Sequence, residues 1–314
     1  MRLLLLPLIM GGIIAGTYPA IAQTTVADNP IVKAAYAKNT TPSGVIYRDK
    51  EFQNSSKEWF KGDLEVANIV FASAPHKESS FSWRGRREGF MGNYAKAIEI
   101  FTEGMELFPD SYALYRYRGY YLVRNYQFEE GIIDLRRAEE LIKEVNVSTR
   151  QDGIPGKSNF SPSTFKRNIY YYLAQSSMAT GDYNTVIEYM DKAAAANELR
   201  DKDDFLVSTS FYKYMALRKL GRHDEAEKMI KAVPRALNII ANKDYFDAIL
   251  YLQGRYKRQQ FLMRAGNLGR YAIGMVDNFN GDAVAAKEIF SVISNNNHKG
   301  YWLAEVELLN LKEN

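Results

Sequence analysis

Two stretches of this chain repeat each other at a distance of 34 residues. Residues 81–85 read FSWRG and are echoed by YRYRG at 115–119, and GNYAKAI at 92–98 is echoed by YQFEEGI at 126–132. A fixed period of this length is typical of arrays of helix–turn–helix units, in which no unit buries its apolar face alone. The repeat therefore predicts an all-α fold with an extended binding surface, and it leaves the ligand open.

Apolar residues recur at helical spacing between turns rich in Gly, Asn and Pro, which allows five repeat units to be framed. The predicted units are 78–111, 112–145, 167–200, 207–240 and 267–300. A segment rich in glycine and proline, 146–164, interrupts the array. A loop of this length inside a compact array is either functional or disordered.

Further helices are expected to complete the repeat domain, which we place at 58–314. A helix beginning near Trp59 is expected to cap the first unit, because the inner face of a terminal repeat needs cover. A linking helix is expected near 243–263, and an amphipathic closing helix at 302–311. In the closing helix we expect three charged side chains to face water: Glu305, Glu307 and Lys312.

The N-terminus has a basic residue at Arg2, then an apolar stretch, then small residues at Ala20 and Ala22. These features are typical of a cleavable secretory signal. We therefore predict a signal peptide at 1–22, cut after Ala22, a flexible leader at 23–57, and a periplasmic or secreted protein. An uncleaved membrane anchor is the alternative, but the apolar run is short and broken by glycine and proline, and no later segment could span a bilayer.

Composition narrows the classes of function. The chain has no cysteine, which excludes disulfides, thiolate metal sites and lipoprotein modification. The net charge is only +4 and is dispersed, so nucleic acid is not expected as a partner. The three histidines lie far apart, and the usual phosphate-loop, nucleophile and dinucleotide motifs do not occur. We predict no catalytic residues, no metal and no cofactor.

The aromatic, leucine and small residues of the second and third units follow a spacing that resembles the tetratricopeptide repeat family, over about 78–300. The phrases RYRG at 116–119 and YMALRKLGR at 214–222 are similar to a narrower group of bacterial tetratricopeptide-repeat proteins. So is the ending YWLAEVEL at 301–308. The resemblance implies a right-handed α-solenoid of about five helix pairs, whose first helices line a concave groove.

The family framing also implies which side chains face that groove. They are Arg86, Arg116, Tyr120, Tyr171, Gln175, Phe211, Met215, Tyr271 and Met275. Rigid aromatic rings and planar guanidinium groups suit a peptide groove, because they provide contact area at modest entropy cost. The alternative is that several of these side chains pack between neighbouring helices.

Two arginines, Arg84 and Arg118, occupy matching positions where the family usually has leucine. An arginine in a packed position needs an acidic or carbonyl partner. We favour a structural ion pair, in which Arg118 would pair with Asp134 or Glu140. The alternative is an anion site formed by four arginines: Arg84, Arg86, Arg116 and Arg118.

Three functions are compatible with these features. The leading hypothesis is a non-catalytic scaffold or adaptor of the cell envelope that binds a protein or peptide in the concave groove. The second is a protein that binds a glycan or a small anion, with aromatic rings stacking on sugars. The third is an enzyme whose acids lie in the groove or beneath the 146–164 segment. The residues do not identify the partner or the oligomeric state.

Overall fold

The structure is a computed structural model that describes residues 54–146, 163–196, 202–294 and 301–313. These residues form fourteen α-helices and no extended strand. The helices are α1 Asn54–Ser73, α2 Glu78–Phe90, α3 Tyr94–Leu107, α4 Tyr112–Arg124, α5 Phe128–Leu141, α6 Phe165–Thr180, α7 Tyr183–Ala195, α8 Lys202–Lys219, α9 His223–Ala232, α10 Lys243–Leu252, α11 Arg258–Leu262, α12 Asn267–Phe279, α13 Ala283–Ser294 and α14 Trp302–Glu313. The predicted signal peptide, the leader up to residue 53 and most of the 146–164 segment lie outside the described residues.

Tight turns join the two helices of each pair. Glycine with a positive φ occupies the turn between α6 and α7, where Gly181 has a φ of +80°, and the corresponding turns contain Gly92, Gly221 and Gly281. Glycine adopts this left-handed conformation without the steric cost that a Cβ imposes. In the second pair the same position, 34 residues after Gly92, holds Tyr126 with a φ of +63°.

Small residues allow the two helices of a pair to pack closely. Gly119 of α4 and Gly131 of α5 face each other where the helices cross. A Cβ added at Gly119 would lie 3.0 Å from the Gly131 carbonyl oxygen and 2.9 Å from Cγ of Leu135. The shared glycine of the 34-residue echo is therefore a requirement of helix packing, since Gly85 contacts Phe101 in the same way.

The first helices of successive pairs form an inner row. Helices α2, α4, α6 and α8 pack on one another in order, and α10 continues the row from α8 to α12. The second helices α3, α5, α7 and α9 pack on the first helices, with less contact among themselves. Because the first helices approach one another more closely, they line the inner side of the curved array, and we call their common surface the inner face.

The linking segment contains two helices where the sequence suggested one. Helix α10 ends at Leu252, Gly254 adopts a φ of +75°, and the short helix α11 follows. The connection that precedes α10 is held by Asp204, a buried residue of α8. Its carboxylate accepts backbone N–H groups of Ile240, Ala241 and Asn242 at 2.9, 2.8 and 2.6 Å.

Residues 302–309 of the closing helix α14 are all buried, where the sequence suggested burial of one face. The helix packs on α13 and also contacts α6 of the inner row. The Trp302 ring lies 5.5 Å from Phe128, and Glu307 forms a 2.7 Å ion pair with Lys219 of α8. The expectation that Glu305 and Glu307 face water was wrong, because each is only 3% exposed. The Lys312 side chain lies outside the described residues.

Candidate functional site: an inner face of arginine and tyrosine

The inner face divides into two parts. In the C-terminal part, α14 covers helices of the inner row, as its contacts with α6 and α8 show. In the N-terminal part, α2, α4 and α6 present a cluster of arginine and tyrosine side chains, which we call the Arg–Tyr cluster. Its members are Arg86, Arg116, Tyr117, Tyr120 and Tyr172.

Arg116 lies at the centre of the Arg–Tyr cluster, between α4 and α6. Its guanidinium carbon is 4.7 Å from the centre of the Tyr117 ring, 5.6 Å from Tyr120 and 4.9 Å from Tyr172. Arg86 of α2 stacks on the same Tyr117 ring at 4.9 Å. Each contact is a cation–π interaction, in which a ring face attracts the positive charge.

The polar atoms of Arg116 are not matched by an acid. The residue is 6% exposed, and its Nε is buried without a hydrogen-bond partner. Among the described residues no carboxylate forms an ion pair with it. A buried cation held only by rings is uncommon, because desolvation of a charge is costly unless it is paired.

The surrounding phenols do not neutralise this charge. Burial raises the pKa of Tyr120 to about 12, although Arg124 and Arg116 oppose the shift. Burial also raises the pKa of Tyr121, whose hydroxyl donates a 3.3 Å hydrogen bond to the Arg86 carbonyl. Both phenols are therefore uncharged at neutral pH, and the cluster keeps its positive potential.

A network of tyrosine hydroxyls lies beside the Arg–Tyr cluster, toward the C-terminal part. The Tyr171 hydroxyl donates to Tyr245 at 3.1 Å, and Tyr245 and Tyr212 share a 2.9 Å hydrogen bond. Tyr212 also bonds to Tyr301, and it accepts a 2.8 Å hydrogen bond from Gln175. Burial raises the pKa of these phenols well above its ordinary value of 10.

The groove positions predicted from the sequence fall into two sets. Arg86, Arg116, Tyr120, Tyr171 and Gln175 all lie in the Arg–Tyr cluster or the hydroxyl network. A second set packs into the core without exposed surface: Phe211, Met215, Tyr271 and Met275. A partner could contact that second set only if helices of the chain moved.

Arg84 and Arg118 point away from the Arg–Tyr cluster, two positions along the helix from Arg86 and Arg116. Arg118 donates two hydrogen bonds to the Asp134 carboxylate, at 2.7 and 2.8 Å, which is the first partner named from the sequence. Arg84 donates to Asn68 at 2.9 Å. The four arginines therefore do not form one anion site, because residues two apart on a helix face in nearly opposite directions.

Burial and pairing act on the Arg118–Asp134 pair in different ways. Burial raises the pKa of Asp134, and the hydrogen bonds and positive charge of Arg118 partly offset that shift. The hydrogen bonds that Arg118 donates to Asp134 raise the pKa of Arg118, so the guanidinium remains charged. Arg118 also donates to Thr102 of the preceding pair at 3.1 Å, which links the two repeats. Glu140, the other candidate partner, pairs with Arg137.

Sequence reasoning missed five inner-face tyrosines: Tyr172, Tyr117, Tyr212, Tyr245 and Tyr301. The run Tyr170–Tyr172 offered a signal for Tyr172, because two adjacent rings of such a run can both lie along the groove between neighbouring helices. Tyr245 could not have been found in this way, since it lies in the linking segment outside any framed repeat.

No metal site or membrane span is found within the described ranges. These residues contain no group of three or more His, Cys, Asp or Glu side chains that could hold a metal ion. Asp277, in a stretch that superficially resembles a calcium loop, forms an ion pair with Arg258 at 2.7 Å. In the same part of the chain, no helix combines the length and hydropathy needed to cross a bilayer.

Comparison with known proteins returned structural similarity only. No protein-family model matches the sequence, and no curated protein matches it. A tetratricopeptide repeat protein from Parabacteroides merdae ATCC 43184 is 13% identical with a TM-score of 0.50, over 83% of this chain and 97% of the other. YrrB, described as a TPR protein with an unusual peptide-binding site, is 13% identical with a TM-score of 0.44, over 80% of this chain and 100% of YrrB. MamA is 18% identical with a TM-score of 0.43, over 65% and 89% of the two chains.

Consecutive helix pairs around a curved inner row define an α-solenoid repeat protein. More narrowly, the chain has the tetratricopeptide-repeat fold, which confirms the all-α array predicted from the 34-residue echo and the fold that the resemblance implied. At this level of identity the likeness concerns the fold alone.

Proposed function

We propose that this protein is a non-catalytic scaffold or adaptor of the cell envelope that binds a protein or peptide on the N-terminal part of its inner face. The observation that carries the proposal is the Arg–Tyr cluster, where Tyr120 and Tyr172 are half-buried while Arg116 lacks an acidic partner among the described residues. Tyr and Arg are the residue types that contribute most at protein interfaces. Placement in the envelope rests on the predicted signal peptide at 1–22.

In this proposal, the C-terminal part of the inner face does not bind the partner. Helix α14 already fills it and buries Trp302, Leu303 and Leu308 there. A partner therefore docks across α2, α4 and α6, and it leaves α14 in place. This limits the partner to about three inner helices instead of the full length of the array.

Photocrosslinking in the native host tests this function. p-Benzoylphenylalanine would replace Tyr120 or Tyr172 on the inner face, and Ile133, which is 67% exposed on α5, would serve as the outer-face control. We expect the same discrete protein adducts from both inner positions and none of them from Ile133. Equal adducts from all three positions, or no protein adduct from the inner positions, would contradict the proposal.

A glycan or small-anion ligand is the second candidate, because aromatic rings around Arg116 also suit a charged sugar. The crosslinking experiment separates the two. A glycan would give heterogeneous adducts that resist protease and yield to glycosidase treatment.

A further inference from the structure

We propose that the linking part of the chain, around α10 and α11, docks on an anionic phospholipid surface. The contact is made by a group of exposed cations, which we call the basic edge. Its members are Arg235, Arg255, Lys257 and Arg264. The basic edge is distinct from the Arg–Tyr cluster, on which the proposed function rests. A membrane contact and protein binding can therefore be tested separately, and either can fail without the other.

The positive charge of the chain is concentrated in this part of the sequence. Residues 228–276 contain nine Lys or Arg and only two acids, Asp244 and Asp247, whereas the rest of the chain has 32 basic and 35 acidic residues. The net charge of +4 thus combines a segment at +7 with a remainder at −3, and it is not evenly dispersed. A surface of one sign attracts a surface of the opposite sign.

Hydrogen bonds of a single glutamine bring two of these cations to one edge of the molecule. The Gln253 side chain, in the turn after α10, donates to the carbonyls of Ile230 and Val233 at the end of α9, both at 2.8 Å. Arg235 lies two residues beyond Val233, and Arg255 lies two residues beyond Gln253. These bonds therefore hold the cation that follows α9 beside the cations that follow α10.

Arg264 joins the basic edge through a stack of aromatic rings. Its guanidinium carbon lies 3.8 Å from the centre of the Tyr256 ring, and Tyr256 stands between Arg255 and Lys257 in the sequence. The Tyr256 ring lies 5.9 Å from the Phe261 ring at an interplanar angle of 7°. Stacked rings orient a guanidinium group without neutralising it.

The two nearby acids compensate only part of this charge. Arg264 approaches Asp247 at 3.7 Å, but Lys243 already forms a 2.6 Å ion pair with that carboxylate. Asp244 lies close to Gly266, since a Cβ added there would be 3.6 Å from its carboxylate oxygen. The other three cations of the basic edge form no ion pair with any described residue. They are available to an anion outside the chain.

An exposed apolar side chain beside the cations favours lipid over nucleic acid. Met263 precedes Arg264 and is 75% exposed, more than any other large apolar side chain among the described residues. A flexible thioether can enter the boundary between headgroups and acyl chains, where apolar burial adds to the attraction between cations and anionic lipid. The phosphate backbone of a nucleic acid offers Met263 no such apolar region.

Vesicle sedimentation tests the proposal. The purified chain without residues 1–22 is used, because an apolar signal peptide would itself bind lipid. We expect it to sediment with phosphatidylglycerol vesicles in about 0.1 M salt and to dissociate in about 1 M salt, where the Debye length falls to about 3 Å. Vesicles of zwitterionic phosphatidylcholine should bind little of the chain.

A triple variant removes charge from the basic edge without disturbing the stacked Arg264. It combines Arg235→Gln, Arg255→Gln and Lys257→Gln. We expect its partition coefficient on phosphatidylglycerol to fall by about 100-fold, since each cation near the surface contributes about fivefold. The matched control removes three exposed cations from the region of α3 and α5 and should bind nearly as the parent does: Lys96→Gln, Arg136→Gln and Lys143→Gln.

The apolar contact has its own pair of variants. Met263→Gln should weaken binding to phosphatidylglycerol by about fivefold, because less apolar area enters the membrane boundary. Val284→Gln changes a side chain that is 72% exposed on α13, away from the basic edge, and should leave binding unchanged. Equal binding by the parent and Met263→Gln would contradict the choice of a lipid surface.

The remaining outcomes are equally decisive. No binding to phosphatidylglycerol, or an equal loss in both triple variants, would overturn the proposal and leave the scaffold function standing. Binding of a duplex oligonucleotide that depends on the basic edge, without binding of vesicles, would assign the edge to nucleic acid and overturn the lipid partner. If the edge variant melted below the parent, the single changes Arg255→Gln and Lys257→Gln would replace it, each with an expected loss of about fivefold.

Discussion

Glycine meets two different steric requirements in this chain. Gly181 provides a left-handed turn, with a φ of +80° and no atom within 4 Å of an added Cβ. Gly119 lies at a helix crossing, where an added Cβ would meet the backbone of the facing helix. The 34-residue echo relates both kinds of position between units, because it aligns turns with turns and helix crossings with helix crossings. At the turn after α4, however, the echo pairs Gly92 with Tyr126, whose positive φ was not predictable from its residue type.

Alanine substitutions would separate these two requirements. Gly181→Ala should cost about 1–2 kcal/mol from backbone strain alone. Gly119→Ala should cost about 3 kcal/mol, because the carbonyl oxygen that it meets belongs to a helix and cannot rotate away. The control is Gly62→Ala in α1, which meets no atom within 4 Å at an ordinary helical position and should gain up to about 1 kcal/mol. Urea unfolding would measure all three, and a Gly119→Ala chain as stable as the parent would refute the close-packing account.

The partners of Arg84 and Arg118 show which side-chain contacts could be predicted from the sequence. Arg118 finds Asp134, but the position that corresponds to Asp134 in the preceding unit is Ile100. Arg84 therefore has no acid at the matching position of the facing helix α3, and it donates a hydrogen bond to Asn68 of α1 instead. The ion pair could be predicted from the spacing in its own repeat, whereas the Arg84 contact depended on the position of a helix outside the array.

Among the helices, the connection between α9 and α10 depends on a single carboxylate. Asp204 accepts three backbone N–H groups at the start of α10, and Asn242 returns a 2.8 Å hydrogen bond to its carbonyl. Helical periodicity predicted that a helix would follow this connection. It could not predict the break at Gly254 or the Asp204 contacts, because those depend on tertiary placement of an irregular segment.

Removal of the Asp204 charge should loosen this connection. Asp204→Asn keeps the shape but places an amide N–H₂ group against backbone donors, so we expect a loss of about 3 kcal/mol. Hydrogen exchange at residues 240–242 should accelerate strongly. Asp203→Asn is the matched control and should have a small effect, since among the described residues Asp203 accepts a single hydrogen bond, from the N–H of Asn238 at 2.9 Å. Unchanged exchange at 240–242 in Asp204→Asn would show that the loop is held by other contacts.

Across the molecule as a whole, the inner face is built from phenols that stay protonated because they are buried. The pKa is raised to about 12 for Tyr120 and well above 10 for Tyr171, Tyr212, Tyr245 and Tyr301. The frequency of tyrosine is visible in the sequence, which contains 22 copies. The way that linking and closing segments join the inner face was not visible, because neither follows the repeat period.

This arrangement predicts alkaline unfolding. The folded pKa values are raised above the unfolded value, so these phenols leave the free energy of unfolding unchanged below pH 10 and lower it as the pH rises beyond 10. Tyr120 alone should contribute a loss of about 1.4 kcal/mol at pH 11. Denaturant melts between pH 8 and 11.5 would measure the fall, and absorbance at 295 nm should show the late phenols ionising together with unfolding. Tyr120→Phe should reduce the pH dependence, and constant stability up to pH 11.5 would contradict the prediction.

Helix α14 changes how the array holds together. In an ideal solenoid each repeat contacts only its neighbours, so the units can unravel one after another from an end. Here the last helix touches Phe128 and α6 in the middle of the chain as well as α13 beside it. The middle of the inner face is thus complete only once α14 has been synthesised, and loss of α14 exposes the centre of the array rather than its tip.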